Sequence, residues 1–252
     1  MMIQIKNLQD NSNIVEVASM GCFKVLEYQK DLSVNAESAI AAYYASEMNI
    51  RKRQVYIQLQ NQAVTVSAGA MQWSAGDVKM GADVKGVGDF IGKAIKGSVT
   101  KESAAKPRYS GIGYVMLEPT YKHILLERVE DWGKIVLEDG LFLACDSDIK
   151  QKVVSRGNFS SAMMGGEGLF NLALEGHGVA VLESPVPREE LIVVELQDDE
   201  IRIDGNFAIA WSGSLEFRVE KSTKSLMGSA VSGEGFVNVY RGTGKVLLAP
   251  IA

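Results

Sequence analysis

The chain has 252 residues, with 25 glycines, 5 prolines, 2 cysteines, 2 histidines and a formal net charge of -5. Hydrophobic residues at 46% and charged residues at 23% exclude wholesale disorder and suit one large domain or two small ones. Two cysteines exclude a disulfide framework and point to a reducing compartment, two histidines exclude a histidine-rich metal cage, and the acidic balance speaks against nucleic acid as a partner.

The first segment, MMIQIKNLQDNSNIVE, has neither the basic-then-apolar order of a secretory signal nor the arginines of a mitochondrial presequence. No apolar run approaches the roughly 20 residues of a membrane-spanning helix. The expected location is the cytoplasm, with at most peripheral membrane contact. In NAESAIAAYYASEMN, Ile40, Tyr43, Tyr44 and Met48 fall at helical spacing behind Asn35, a residue able to cap. The segment reads as a helix packed on the rest of the chain, or alternatively as a strand.

From residue 53 the pattern becomes β. RQVYIQLQNQAVTVSAG, GKIVLEDGLFLA and ELIVVELQDDEIRID are apolar runs rich in valine and isoleucine. They are broken at Asn-Gln, Glu-Asp-Gly and Gln-Asp-Asp, which is the grammar of hairpins. The runs Leu191 to Val194 and Leu169 to Leu174 predict strands buried on both faces. Gly176, Gly178, Gly242 and Gly244 stand where such hairpins demand a positive φ.

The β region repeats itself. GGEGLFNLALEGHGVAVLESP from Gly165 and SGEGFVNVYRGTGKVLLAP from Ser232 share one plan, and SGIGYVMLEPTYKHILLE from Ser110 is a weaker third copy. The aligned glycine pairs are Gly111/Gly113, Gly166/Gly168 and Gly233/Gly235. Upstream, Asp139-Gly140-Leu141-Phe142 matches Asp204-Gly205-Asn206-Phe207, with Ala68-Gly69-Ala70-Met71 as the first copy's counterpart. The spacing divides a single body, 1–252, into an extension 1–52 and repeats of about 53–129, 132–184 and 189–251. Units this small cannot bury their apolar faces alone, so the expected fold is one all-β, pseudo-threefold assembly.

Residues that carry chemistry are sparse. Glu167 and Glu234, each between two motif glycines, would suit acid–base work or a cation, but Ile112 stands in their place in the first copy. Repeated glycine marks backbone geometry, so Gly111, Gly113, Gly166, Glu167, Gly168, Gly233, Glu234 and Gly235 read as structural. GVGDFIGKAIKG, residues 86–97, departs from a phosphate loop at Val87 and Ala94, and from dinucleotide spacing at Ile91. His123 and His177 lie in different copies, Cys145 follows an apolar run as a small hydrophobe would, and Trp73 and Trp211 read as core anchors. Asp198-Asp199-Glu200 reads as a solvated turn. No catalytic residue, metal or cofactor follows from these patterns.

Charge is uneven along the chain. Residues 85–108 carry a net +4, leaving -9 for the rest. Within that segment Phe90, Ile91, Ala94 and Ile95 share a helical face with Lys85, Lys93 and Lys96 nearby, a pattern able to rest on an anionic membrane. The bland alternative is a solvated loop between strands.

The segments SEMNIRKRQ, AGAMQWSAGDV, SAAKPRYSGIGYVMLEPTYKHILLE and GGEGLF together resemble the altered-inheritance-of-mitochondria 24 family, over most of residues 40–250. The resemblance implies a fold similar to the trp RNA-binding attenuation protein, with three short double-stranded β-helix units in pseudo-threefold symmetry. It implies no settled activity. Eukaryotic members are associated with mitochondrial inner-membrane organisation, whereas this chain, without a presequence, is similar to a bacterial member. The expected function is a non-catalytic scaffold or binding protein, self-associating through exposed β edges. Its contact with an anionic membrane would run through Lys85, Phe90, Ile91, Lys93, Ile95 and Lys96. The competing expectation is a small-molecule or carbohydrate-binding protein, or an enzyme, using clefts between the repeats.

Overall fold

The computed structural model describes residues 3–82, 106–155, 170–221 and 236–251. In chain order they form β1 (Ile14–Met20), β2 (Phe23–Tyr28), α1 (Ala39–Glu47), β3 (Arg53–Val66), β4 (Met71–Ala82), β5 (Pro107–Leu117), β6 (His123–Arg128), β7 (Lys134–Leu137) and β8 (Phe142–Asp146). There follow β9 (Lys150–Ser155), β10 (Phe170–Glu175), β11 (Val179–Ser184), β12 (Ile192–Asp204), β13 (Ala208–Ser212), β14 (Glu216–Lys221) and β15 (Phe236–Leu248). The all-β expectation is right.

The first sheet runs β1-β2-β3-β8-β11-β6, with β5 on β3 and β4 on β5; the second runs β12-β15-β13-β7-β10-β9, with β14 on β15. All the pairings are antiparallel. The central apolar cluster draws on both sheets. Cys145, Ala180 and Leu182 of the first meet Ile135, Leu137, Leu172, Leu174 and Leu247 of the second. A second cluster, around Phe23, Ile57, Val64 and Val181, lies within the first sheet, and a third, around Trp211 and Tyr240, within the second.

Several turns expected from the sequence are something else. Asn61 (φ 68°) and Asp198 (φ 54°) do not reverse the chain; each lies at a register shift inside one long strand, β3 or β12. Gly242 (φ 121°) lies in the same way within β15, opposite Asp199, and Gly244 does not use the left-handed region at all. Asn and Asp tolerate that region, and a bulge uses it as readily as a turn does. The Glu-Asp-Gly turn is real, with Gly140 at φ 80°, but it carries the chain from β7 in the second sheet to β8 in the first. Gly176 and Gly178, at φ 131° and 134°, make the corresponding corner from β10 to β11.

Two burial expectations divide. Residue 169 lies outside the described residues; from Asn171 to Leu174 the strand is buried on both faces because Leu172 and Leu174 enter the central cluster and Ala173 the third, and Asn171 Nδ2 donates to the Leu137 carbonyl at 2.8 Å. Leu191 to Val194 is a correction: Ile192 and Val193 are 56% and 50% exposed, because β12 is an edge strand.

The helix forms where its spacing puts it, but it is not packed as expected. None of its residues is buried. Asn35 caps no helical N–H; its Oδ1 instead accepts from Ser38 N at 2.9 Å, fixing the approach to the first turn.

Candidate functional site

Lys85, Phe90, Ile91, Lys93, Ile95 and Lys96 lie outside the described residues, as do Gly166, Glu167, Gly168, Gly233, Glu234 and Gly235. Gly111 and Gly113 are described, and a Cβ has no room at either. A Cβ on Gly111 would lie 2.0 Å from the Asp77 carbonyl oxygen, and one on Gly113 2.2 Å from that of Ala75. β4 and β5 therefore approach too closely at these points for any side chain.

The candidate chemical groups are dispersed. His123, half-buried on β6, has its pKa lowered by burial and by Arg53; His177 is exposed at the β10–β11 corner. Cys145 is fully buried, and burial pushes its thiol up. Burial and then the Asp146 charge push Cys22 up to about 12, so neither cysteine supplies a thiolate near neutral pH. Among the described residues no group of three His, Cys, Asp or Glu side chains is arranged to hold a metal ion.

Two surface features stand out. The first is a groove of about 360 Å³ where β1 and β6, the two ends of the curled first sheet, approach without pairing. Val17 to Met20 line one side and His123 to Leu126 the other. Four consecutive residues from each strand place the groove along the strand edges, since side chains alternate between faces. Its charges are already matched. Glu27 is held between Arg51, 2.9 Å away, and Arg53, 2.7 Å away, while Arg188 pairs with Glu127. Burial opposes ionisation of Glu27, but the two guanidiniums outweigh it and hold the carboxyl below its usual range.

The second feature is the surface around α1. Ala41, Ala42, Ala45 and Ser46 line a 280 Å³ pocket together with Tyr28, Asp31 and Tyr121 of the body. Asp31 accepts hydrogen bonds from Ser33, Tyr121 and Lys52, in that order of effect, and its carboxyl is held well below the usual range. The small residues of the helix thus face the protein, and the large ones face outward. Ile40 is 72% exposed, Tyr43 61%, Tyr44 65% and Met48 76%. Leu32 and Ile50 are also exposed, at 76% and 51%, and Ile50 lines the pocket. The helical spacing identified this stripe but assigned it to the core. The missed signal was the run of small residues Ala41, Ala42, Ala45 and Ser46, the side that lines the pocket.

The family model for mitochondrial biogenesis AIM24 matches residues 44–251, from the middle of α1 through β15. The chain belongs to this family. An uncharacterised protein of Streptococcus pyogenes serotype M6 is 26% identical over 193 residues, covering 74% of this chain and 76% of the relative. An X-ray crystal structure of a Streptococcus pyogenes protein aligns with a TM-score of 0.57 at 23% identity, over 81% of this chain and 90% of that one. That second likeness is one of fold. β1, β2 and the first half of α1 precede the segment matched to the AIM24 family. Among the described residues no helix is long and apolar enough to cross a membrane.

Proposed function

We propose that this AIM24-family chain is a non-catalytic binding protein that self-associates and touches an anionic membrane through residues 85–108. The observation that carries this reading is the separation of charge: +4 in that segment against -9 in the rest. An acidic body is repelled by anionic lipid, and one basic, apolar stretch is attracted to it. Strand pairing supports the reading. β4 and β5 pair as far as Ala82 opposite Pro107, so the described residues that bracket the stretch lie side by side.

The scaffold for this contact is three related units in pseudo-threefold arrangement, similar to the trp RNA-binding attenuation protein. Two observations support this. Gly69, Gly140 and Gly205, aligned in the sequence, have φ of 79°, 80° and 62° at the turns following β3, β7 and β12. The aligned Asn171 and Asn238, both buried, each donate Nδ2 to a backbone carbonyl, of Leu137 and Gly205 respectively.

A second reading rests on the β1–β6 groove, whose 360 Å³ falls within the range of small-ligand sites. One experiment separates the two: flotation of purified protein with neutral and anionic liposomes at low and high salt. Membrane contact gives flotation on anionic lipid alone, weakened by salt and lost when Phe90, Ile91 and Ile95 become Ser. Protein that stays at the bottom of every gradient overturns the membrane reading and leaves the groove as the place to seek a ligand.

A further inference from the structure

We infer that the free edge of β12, from Ile192 to Leu196, binds an extended segment of another protein, an apolar middle with lysine or arginine at both ends, paired to it as an added strand. This is independent of the membrane contact and of self-association.

Among the described residues β12 pairs with β15 alone, so one edge of the second sheet ends on it. In an antiparallel pair every second residue points its N–H and C=O away from the neighbouring strand. Among the described residues, the backbone groups of residues 192–196 find no partner beyond β15. Ile192 and Val193, large and apolar, are at least half exposed there. The register with β15 shifts only after Leu196, at the Asp198 bulge, so these five residues form an unbroken template. Such an edge is what an extended peptide recognises: the ladder supplies affinity, and alternate side chains supply selectivity.

Charge then chooses the occupant. Residues 189–199 hold Glu189, Glu190, Glu195, Asp198 and Asp199 and no lysine or arginine. All five carboxylates are exposed, and among the described residues none forms an ion pair. Cations adjoining them in sequence or register are engaged elsewhere. Arg188 pairs with Glu127, Arg202 with Glu200 at 2.8 Å, and Lys245, opposite Glu195, lies over the Trp132 ring at 4.2 Å. Two carboxylates before the template and two after it frame an apolar middle, the complement of a strand with basic ends. The same charges repel anionic lipid and nucleic acid. They also disfavour a second copy. Two β12 strands paired antiparallel about Val194, the register that uses the whole template, set Glu189 and Glu190 of one against Asp199 and Asp198 of the other.

The test is fluorescence anisotropy of labelled peptides titrated with the full chain to about 300 μM, enough to register a sub-millimolar contact. The peptide Lys-Lys-Val-Thr-Val-Thr-Val-Lys-Lys should bind, and more weakly as salt is raised. Its counterpart with Glu for each Lys should not bind. Nor should the counterpart with Pro for each Val, which keeps the charge but cannot join a ladder. Glu190→Lys with Glu195→Lys should weaken the basic peptide by about tenfold or more and admit the acidic one, with the urea midpoint unchanged. Glu37→Lys with Glu47→Lys, an equal change of charge beside and on α1, should leave binding as it is. In the wild type, bound peptide should slow hydrogen exchange of the amides within Ile192–Leu196. A titration without response overturns the inference. So does a proline peptide that binds as tightly as the valine one, since charge alone would then suffice. Protection that falls on another strand, or equal weakening by the two pairs of substitutions, overturns it as well.

Discussion

Asp146, at the end of β8, accepts a hydrogen bond from Val179 N at 2.8 Å, and its other oxygen lies 3.9 Å from Cys22 Sγ. Burial pushes its carboxyl above the usual range; the Val179 bond offsets part of the rise, and the charges of Asp148 and Glu130 add to it. Because the folded pKa exceeds the unfolded value of 3.8, the folded state binds the proton more tightly. The stability this supplies is complete below 3.8 and lost as pH rises through the folded value. Glu27 has the opposite sign. Its folded pKa lies below 4.5, so its contribution is complete above that value and lost as pH falls through the folded one. Two substitutions should therefore diverge. Asp146→Asn keeps an acceptor for Val179 and removes a disfavoured charge, so it should raise the urea midpoint at neutral pH, with the gain fading toward pH 3.8. Glu27→Gln leaves Arg53 buried beside an uncharged partner and should cost about 3 kcal/mol at neutral pH, with the loss shrinking in acid. Urea titrations across the acid range read both signs directly.

The long strands β3 and β12 each bend at one residue in the left-handed region, Asn61 and Asp198. Asp198 is exposed, so its backbone can be probed without disturbing packing. Asp198→Gly should change stability by no more than about 0.5 kcal/mol, since relief of strain and extra unfolded-state freedom oppose each other. Asp198→Val should lower it by roughly 1–2 kcal/mol, because a β-branched side chain crowds the backbone there. Denaturant midpoints of the two variants check the pair, and equal midpoints would mean the bulge relaxes to another conformation. The same residues mark the limit of what local sequence says about an element. Asn61 and Asp198 fall where the sequence reads hairpin turns, but whether the chain reverses or continues there depends on the strand paired opposite, which is distant in sequence. The turns at Gly69, Gly140 and Gly205 were legible because their geometry is local. Helical spacing told which residues of α1 share a face. It could not tell which side turns to the body, since the small side chains line a pocket shared with Tyr28, Asp31 and Tyr121, which lie outside the helix in the sequence.

At the scale of the molecule, the two sheets are joined by a common core and by chain crossings at β7–β8 and β10–β11. The central cluster is buried only where the two sheets meet, so unfolding should be one cooperative event. The three tryptophans report on different parts of it. Trp73 packs beside Leu26, Tyr56 and Met116 on the first sheet, and Trp211 lies against Phe217 and Tyr240 in the second. Trp132 spans both: its Nε1 donates to Glu127 of β6 at 3.1 Å, and Lys245 of β15 lies over its ring at 4.2 Å. Variants that keep one tryptophan each should therefore give coincident fluorescence transitions in urea. Leu182→Ala, which empties a fully buried position in the shared core, should cost about 2–5 kcal/mol. It should move all three transitions together. A shift seen by Trp73 and Trp132 but not by Trp211 would mean that the second sheet holds its fold alone, and that the shared cluster is a contact between two bodies.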